Sequence, residues 1–129
     1  MSIQKVTYSA ILGVVLSNLR KQQSIEQGTM AENMGLSQAS YSRLEAGKSA
    51  FSIDQMYQAA DALNIGTLKV VEEIEKYKRN LEVSGIRVEP QIRGNTTQAT
   101  QEPAKDNDAV KVLAGAALGA VIMAILASR

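Results

Sequence analysis

The sequence predicts an all-α fold: a four- to five-helix bundle, then a polar linker, then a C-terminal hydrophobic helix. Three observations carry that expectation. Apolar residues in the first 82 positions recur at the 3.6-residue period of a helix buried on one face. Ser and Gly residues punctuate the runs where helix starts and stops are expected. Residues 109–127 are almost wholly apolar, with Lys111 the one charge among them.

The first helix is read from Leu12, Val15, Leu16 and Leu19, spaced i, i+3, i+4, i+7, with Lys21-Gln22-Gln23 as polar punctuation. A second helix is expected to start near Ser24, because Ser24-Ile25-Glu26-Gln27 has the form of a capping box. Met30, Ala31 and Met34 are its inner side, and Gly28 within it costs up to about 1 kcal/mol against Ala. Gly35 supplies the positive φ of a tight turn, and Ser37 caps a third helix from Gln38 to about Ala46. Tyr41 and Leu44 of that helix face inward, and Gly47 ends it. A second capping box, Ser52-Ile53-Asp54-Gln55, opens a fourth helix with the stripe Met56, Ala59, Ala60 and Leu63. A fifth is expected from about Thr67 to Glu82, with Leu68, Val71, Ile74, Tyr77 and Leu81 on one face. That stripe suits either docking on the bundle or a dimer seam.

This divides the chain into a helical module (1–82), with 67–82 as a dimerisation helix, a linker (83–108) and an apolar helix (109–129). The linker holds both prolines, Pro90 and Pro103, with Gly85 and Gly94. Such a stretch buries too little apolar surface to offset its ordering entropy. Val83, Ile86, Val88 and Ile92 are the only hint of an extended segment within it.

Composition narrows the function. The chain of 129 residues has neither Cys nor His, which excludes thiolate zinc sites, catalytic thiols and His-based triads. With no phosphate loop or paired-carboxylate motif, the expectation is a protein that is not an enzyme and takes no cofactor or metal, with no small-molecule site evident. Aromatics are 4%, too few for a base-stacking platform. Net charge is +1, and residues 1–66 balance five basic groups (Lys5, Arg20, Lys21, Arg43, Lys48) with five acidic ones (Glu26, Glu32, Glu45, Asp54, Asp61). No global positive field draws the protein to nucleic acid.

Two short helices joined around Gly35 outline a helix-turn-helix, a pattern that a generic small helical bundle shares. Residues 12–65 go further and resemble the Cro/C1-type (Xre-like) helix-turn-helix domain of phage and bacterial repressors. The resemblance rests on Leu12, Gly13, Leu16, Leu19 and Arg20, then Ile25 and Gln27, Met30-Ala31-Glu32 and Gly35-Leu36-Ser37-Gln38. It continues through Ser42-Arg43-Leu44-Glu45-Ala46-Gly47-Lys48 and Ser52-Ile53-Asp54 without a gap. It implies a third helix lying in the major groove of double-stranded DNA. It assigns Gln27 to backbone phosphate, and Ser37, Gln38, Ala39, Ser42 and Arg43 to base edges or nearby phosphates. Gln38 is the best direct reader, since an amide pairs with adenine N6 and N7. Lys48 would grip phosphate. Arg20 and Glu45 match a salt bridge of the family between helices one and three.

The departures from the family pattern are specific. Ala39 stands where a polar reader is common, Tyr41 where an aliphatic core residue is usual, and Val14 and Val15 where surface charges are common. The two valines suggest a second contact face on helix one. The neutral module implies weak binding as a monomer, hence a homodimer or higher oligomer.

The apolar segment outruns the resemblance. Nineteen residues at 109–127 would span about 28 Å, near the thickness of a hydrocarbon core. Lys111 and Arg129 could anchor its ends, and Gly115-Ala116-Ala117-Leu118-Gly119 is a small-xxx-small motif. The first expectation is a single C-terminal span at the inner membrane behind a cytoplasmic DNA-binding domain. The second is a buried or self-associating helix. The functional expectation is a sequence-specific, repressor-like transcriptional regulator. Its competitors are a membrane-associated or self-assembling protein using the domain for protein contact, and an antitoxin-type autorepressor.

Overall fold

The computed structural model describes residues 3–90 and 110–127. The helical bundle is as expected: α1 (Tyr8–Gln22), α2 (Gln27–Asn33), α3 (Gln38–Glu45), α4 (Ile53–Ala62), α5 (Thr67–Val83) and a C-terminal α6 (Gly115–Ala127). Three strands join it: β1 (Ile3–Thr7), β2 (Arg87–Glu89) and β3 (Val110–Leu113).

Local chemistry sets the helix ends. Thr7, Ser37 and Ser52 each accept a backbone N–H with the side-chain oxygen, and Ser52 with Gln55 forms the complete capping box that the sequence predicts. Helices α1 to α5 all close with paired bonds of the Schellman kind, such as Leu36 N–H to the Ala31 carbonyl and Gly35 N–H to that of Glu32. The residue after the cap then needs positive φ, which Gly35 (72°) and Gly47 (79°) adopt without Cβ strain.

That geometry corrects the start of the second helix. Ser24 is not an N-cap; it sits at φ 60° as the residue that ends α1, with Ile25 N–H bonded to the Arg20 carbonyl. Helix α2 begins three residues later with Glu26 as an N-cap that makes no side-chain cap bond. The stripe on α5 is also turned from the expected one. Val70 and Leu81 are fully buried, with Ile74 and Tyr77 packed beside them, while Leu68 is 71% exposed.

The sheet is the feature that an all-helical reading does not contain. Its order is β2-β1-β3, with both outer strands parallel to β1. The central strand pairs Val6 with Val88 on one side and with Leu113 on the other. Val6 is fully buried, so three short segments far apart in sequence close one end of the core. Part of the expected linker is therefore structured: Val83 ends α5 and 87–89 is a strand. Residues 91–108 of the linker, with Ile92, Gly94 and Pro103, lie outside the described residues.

The C-terminal segment departs most from expectation. Residues 110–113 are a strand, so the run 109–127 is not one helix. Helix α6 has 13 residues. At 1.5 Å per residue that is about 20 Å, well short of a bilayer core. No helix among the described residues is long and apolar enough to cross a membrane. Instead α6 packs on α1 and α5, with Leu118 and Ile122 in the core cluster. The first expectation, a membrane span over 109–127, finds no support in this arrangement, which is of the kind that the second expectation describes. Arg129, the proposed outer anchor, lies outside the described residues. Of the small-xxx-small motif, Gly115 makes a close approach within the chain, where a Cβ would stand 3.0 Å from the Ala46 carbonyl oxygen, while a Cβ on Gly119 would meet nothing within 4 Å. Val14 and Val15 are buried, so their apolar character belongs to an internal interface rather than to a free contact face.

Candidate nucleic-acid interface

Helices α2 and α3 are joined by the four residues Met34 to Ser37 and pack against each other. Their orientation is fixed from beneath by α1. A Cβ on Gly13 would lie 2.5 Å from the Glu45 carbonyl oxygen and 2.8 Å from that of Leu44, so α1 and α3 cross with backbones nearly touching.

A buried polar cluster ties the same three helices. Arg20 on α1 forms a two-pronged pair with Glu45 on α3, Nε to Oε2 at 2.7 Å and Nη2 to Oε1 at 3.0 Å. Its third nitrogen, Nη1, donates to the Ile25 carbonyl at 2.8 Å, holding the turn before α2. Tyr41 Oη donates to Glu45 Oε2 at 2.5 Å, and Gln27 Nε2 donates to Oε1 at 2.9 Å. Both charges are buried, so the pair has little solvent screening. Burial opposes ionisation of Glu45, but the bonds from Arg20, Tyr41 and Gln27 outweigh it and hold the carboxyl below its ordinary value. The same carboxylate, after burial itself, pushes the Tyr41 hydroxyl far up, so it stays a donor.

The predicted DNA residues fall into two groups. Ser37, Gln38, Ala39 and Arg43 are exposed on α3 and its N-cap, Ser42 is half-buried beside them, and Lys48 is exposed just past the helix. Ser37 holds its place by accepting from Ser40 N–H at 3.1 Å. Among the described residues neither Arg43 nor Lys48 enters an ion pair. Gln27 stands apart: it is half-buried and bound to Glu45 rather than pointing free into solvent.

Sequence reasoning missed two participants. Tyr41 stands where the family pattern has an aliphatic core residue; its spacing of four from Glu45 places it one turn away on the same helix, a signal legible in the sequence. Lys21 lines a groove with Ser17, Asn18, Gln27, Ser42 and Glu45, closed on its far side by Gly115 and Gly119 of α6. No local pattern reveals that groove, because α6 comes from the far end of the chain.

Comparison with known proteins agrees with this architecture. Residues 16–70 match the family model for the helix-turn-helix, and this segment is a helix-turn-helix domain of the Cro/C1 type. The chain is similar to the clp gene regulator ClgR from C. glutamicum, at 23% identity and a TM-score of 0.52 over 54% of this chain and 90% of that one. It is similar to the wild-type restriction-modification controller protein C.Esp1396I, at 16% identity and a TM-score of 0.51 over 54% and 88%. The controller protein C.AhdI from Aeromonas hydrophila aligns at 26% identity with a TM-score of 0.46, over 47% and 92%. No curated protein matches the chain. The likenesses to ClgR and C.Esp1396I establish the fold of the helical module.

Proposed function

Taking residues 16–70 as a Cro/C1-type helix-turn-helix domain, we propose that the protein is a sequence-specific regulator of transcription that binds double-stranded DNA. The observation that carries this reading is the exposed face of α3. Gln38, Ala39 and Arg43 stand free on a helix whose buried side is pinned by the Arg20–Glu45 pair. A reading helix needs both properties, since base contacts discriminate only from a fixed register. Gln38 and Arg43 supply the directional groups, an amide for adenine and a guanidinium for guanine. Ser37 and Ser42 flank them, and Lys48 and Gln27 supply phosphate contacts on either side. The role is one of binding, with no reaction assigned, and it places the protein with the DNA in the cytoplasm.

The working unit is a homodimer on two half-sites. A neutral module gains too little from phosphate contacts alone. An apolar groove lined by Tyr8, Leu12, Phe51, Met56 and Ile74 is edged by Ile53, 67% exposed, and Tyr57 follows one turn along α4 at 53%. Large apolar groups left in water at this density suit a protein contact.

The test is selection of duplexes from a random pool with the full chain, followed by titration of the selected sequence. Gln38→Ala and Arg43→Ala each weaken the selected duplex by about 10-fold or more and relax preference at the base contacted. Lys48→Ala weakens all duplexes alike. Failure to enrich any sequence refutes the proposal.

A further inference from the structure

Gln27 occupies an unusual position for a phosphate contact. Its amide nitrogen is already committed, at 2.9 Å, to the most deeply placed carboxylate of the domain. Glu45 accepts four hydrogen bonds, two at Oε1 from Arg20 and Gln27 and two at Oε2 from Arg20 and Tyr41. A carboxylate offers about four acceptor positions, so the set is complete. Of the three donor residues, Gln27 is the one that is half-buried and lines the groove between α1, α3 and α6. Lys21 and Ser42 line the same groove, a cation and a hydroxyl suited to a phosphate oxygen.

Resting on the DNA reading above, we propose that the Gln27 amide changes partner when DNA binds. It leaves Glu45 for a backbone phosphate seated beside Lys21 and Ser42. Tyr41 is the positioning residue that makes the change inexpensive. With Gln27 gone, Glu45 keeps both Arg20 bonds and the Tyr41 hydroxyl, so the buried charge remains paired. Without that hydroxyl, Arg20 alone would hold it, and the carboxylate would retain Gln27 more tightly. Arg20 also neutralises Glu45 at contact distance, which lets a second anion approach from the groove side. Tyr41 is fully buried and reaches no DNA itself. Its effect on affinity therefore passes through its neighbours, and the exchange routes it through Glu45 to Gln27.

A double-mutant cycle on DNA affinity isolates that coupling. Full-length wild type, Tyr41→Phe, Gln27→Met and the double variant are titrated against a duplex selected by the wild type, by fluorescence anisotropy. Tyr41→Phe is expected to weaken binding about fivefold when Gln27 is present and by less than about twofold in the Gln27→Met background. A purely structural role for Tyr41 gives the same loss in both backgrounds, and that result overturns the proposal. If Tyr41→Phe fails to fold, the side-chain amide resonance of Gln27 in the wild type decides. It shifts on DNA addition if the partner changes, and an unmoved resonance refutes the exchange. A wild type that binds no duplex refutes the DNA reading and the exchange together, whereas binding without coupling refutes the exchange alone.

Discussion

Replacing Arg20 by Met tests how the helical module is held together. The substitution keeps an unbranched stem that reaches about as far as Nε but removes every donor. It breaks the two bonds to Glu45 and the one to the Ile25 carbonyl. Both members of the pair are less than one tenth exposed, so the loss is that of a buried pair with one partner stranded. Such losses run to about 3–5 kcal/mol, against about 0.3–0.5 kcal/mol for an exposed pair within one helix. For a domain of this size that lowers Tm by about 10–20 °C in thermal melts followed by circular dichroism. Lys76→Met, which removes an exposed pair with Glu73, serves as the control and shifts Tm by no more than about 2 °C.

The pH dependence sharpens the test. Glu45 is held below its ordinary value in the folded wild type. Its contribution is therefore fully present above about pH 4.3, the unfolded value, and is lost as pH falls through the folded one. In Arg20→Met, burial dominates, and protonation of Glu45 relieves a stranded charge as pH falls. The stability gap between the two proteins should narrow on acidification. Glu73, also held low by Lys69 and Lys76 against the opposing effect of burial, is common to both proteins and drops out of the difference. A loss at neutral pH below about 1 kcal/mol, or a gap constant down to pH 3, would refute the reasoning.

Two further outcomes follow from the packing. Gly13→Ala forces a Cβ to within 2.5 Å of the Glu45 carbonyl oxygen, so α1 and α3 must part; a lowered urea midpoint equivalent to about 1–3 kcal/mol is expected, despite the better helix propensity of Ala. A midpoint at or above that of the wild type would show that the crossing has slack. Leu118→Ala should cost about 2–5 kcal/mol in the same assay, because Leu118 is fully buried against the bundle. An unchanged midpoint would mean that α6 is not part of the folding core.

Much of the helical module is legible from local sequence. Ser37 and Ser52 are caps wherever they stand before a helical run, and Gly35 and Gly47 take positive φ because few other residues do so cheaply. The same logic misreads Ser24. A serine three residues before Gln27 has the spacing of a capping box, yet the Ile25 carbonyl is held by Arg20 Nη1, and the turn that ends α1 claims Ser24 instead. The exposed positions on α3 follow from periodicity plus the family pattern. The tie between Gln27 and Glu45 does not, because it depends on side chains 18 residues apart meeting across two helices.

The sequence by itself determined most helix ends of the module, the start of α2 excepted, which faces of α1 to α4 are apolar, and that residues 109–127 carry an apolar surplus. Tertiary structure decided where that apolar surplus goes. A run of Gly, Ala and aliphatic residues reads alike whether lipid or protein covers it, since burial free energy depends on area removed from water and not on what removes it. The choice came from pairing: β1 offers Ile3 to Val6 as a template for β3, and Val14, Val15 and their neighbours offer α6 a matching surface. Those partners lie about a hundred residues away in sequence, beyond the reach of any local pattern. The strand at the N-terminus, invisible in five residues read alone, is what draws the C-terminal segment into the core.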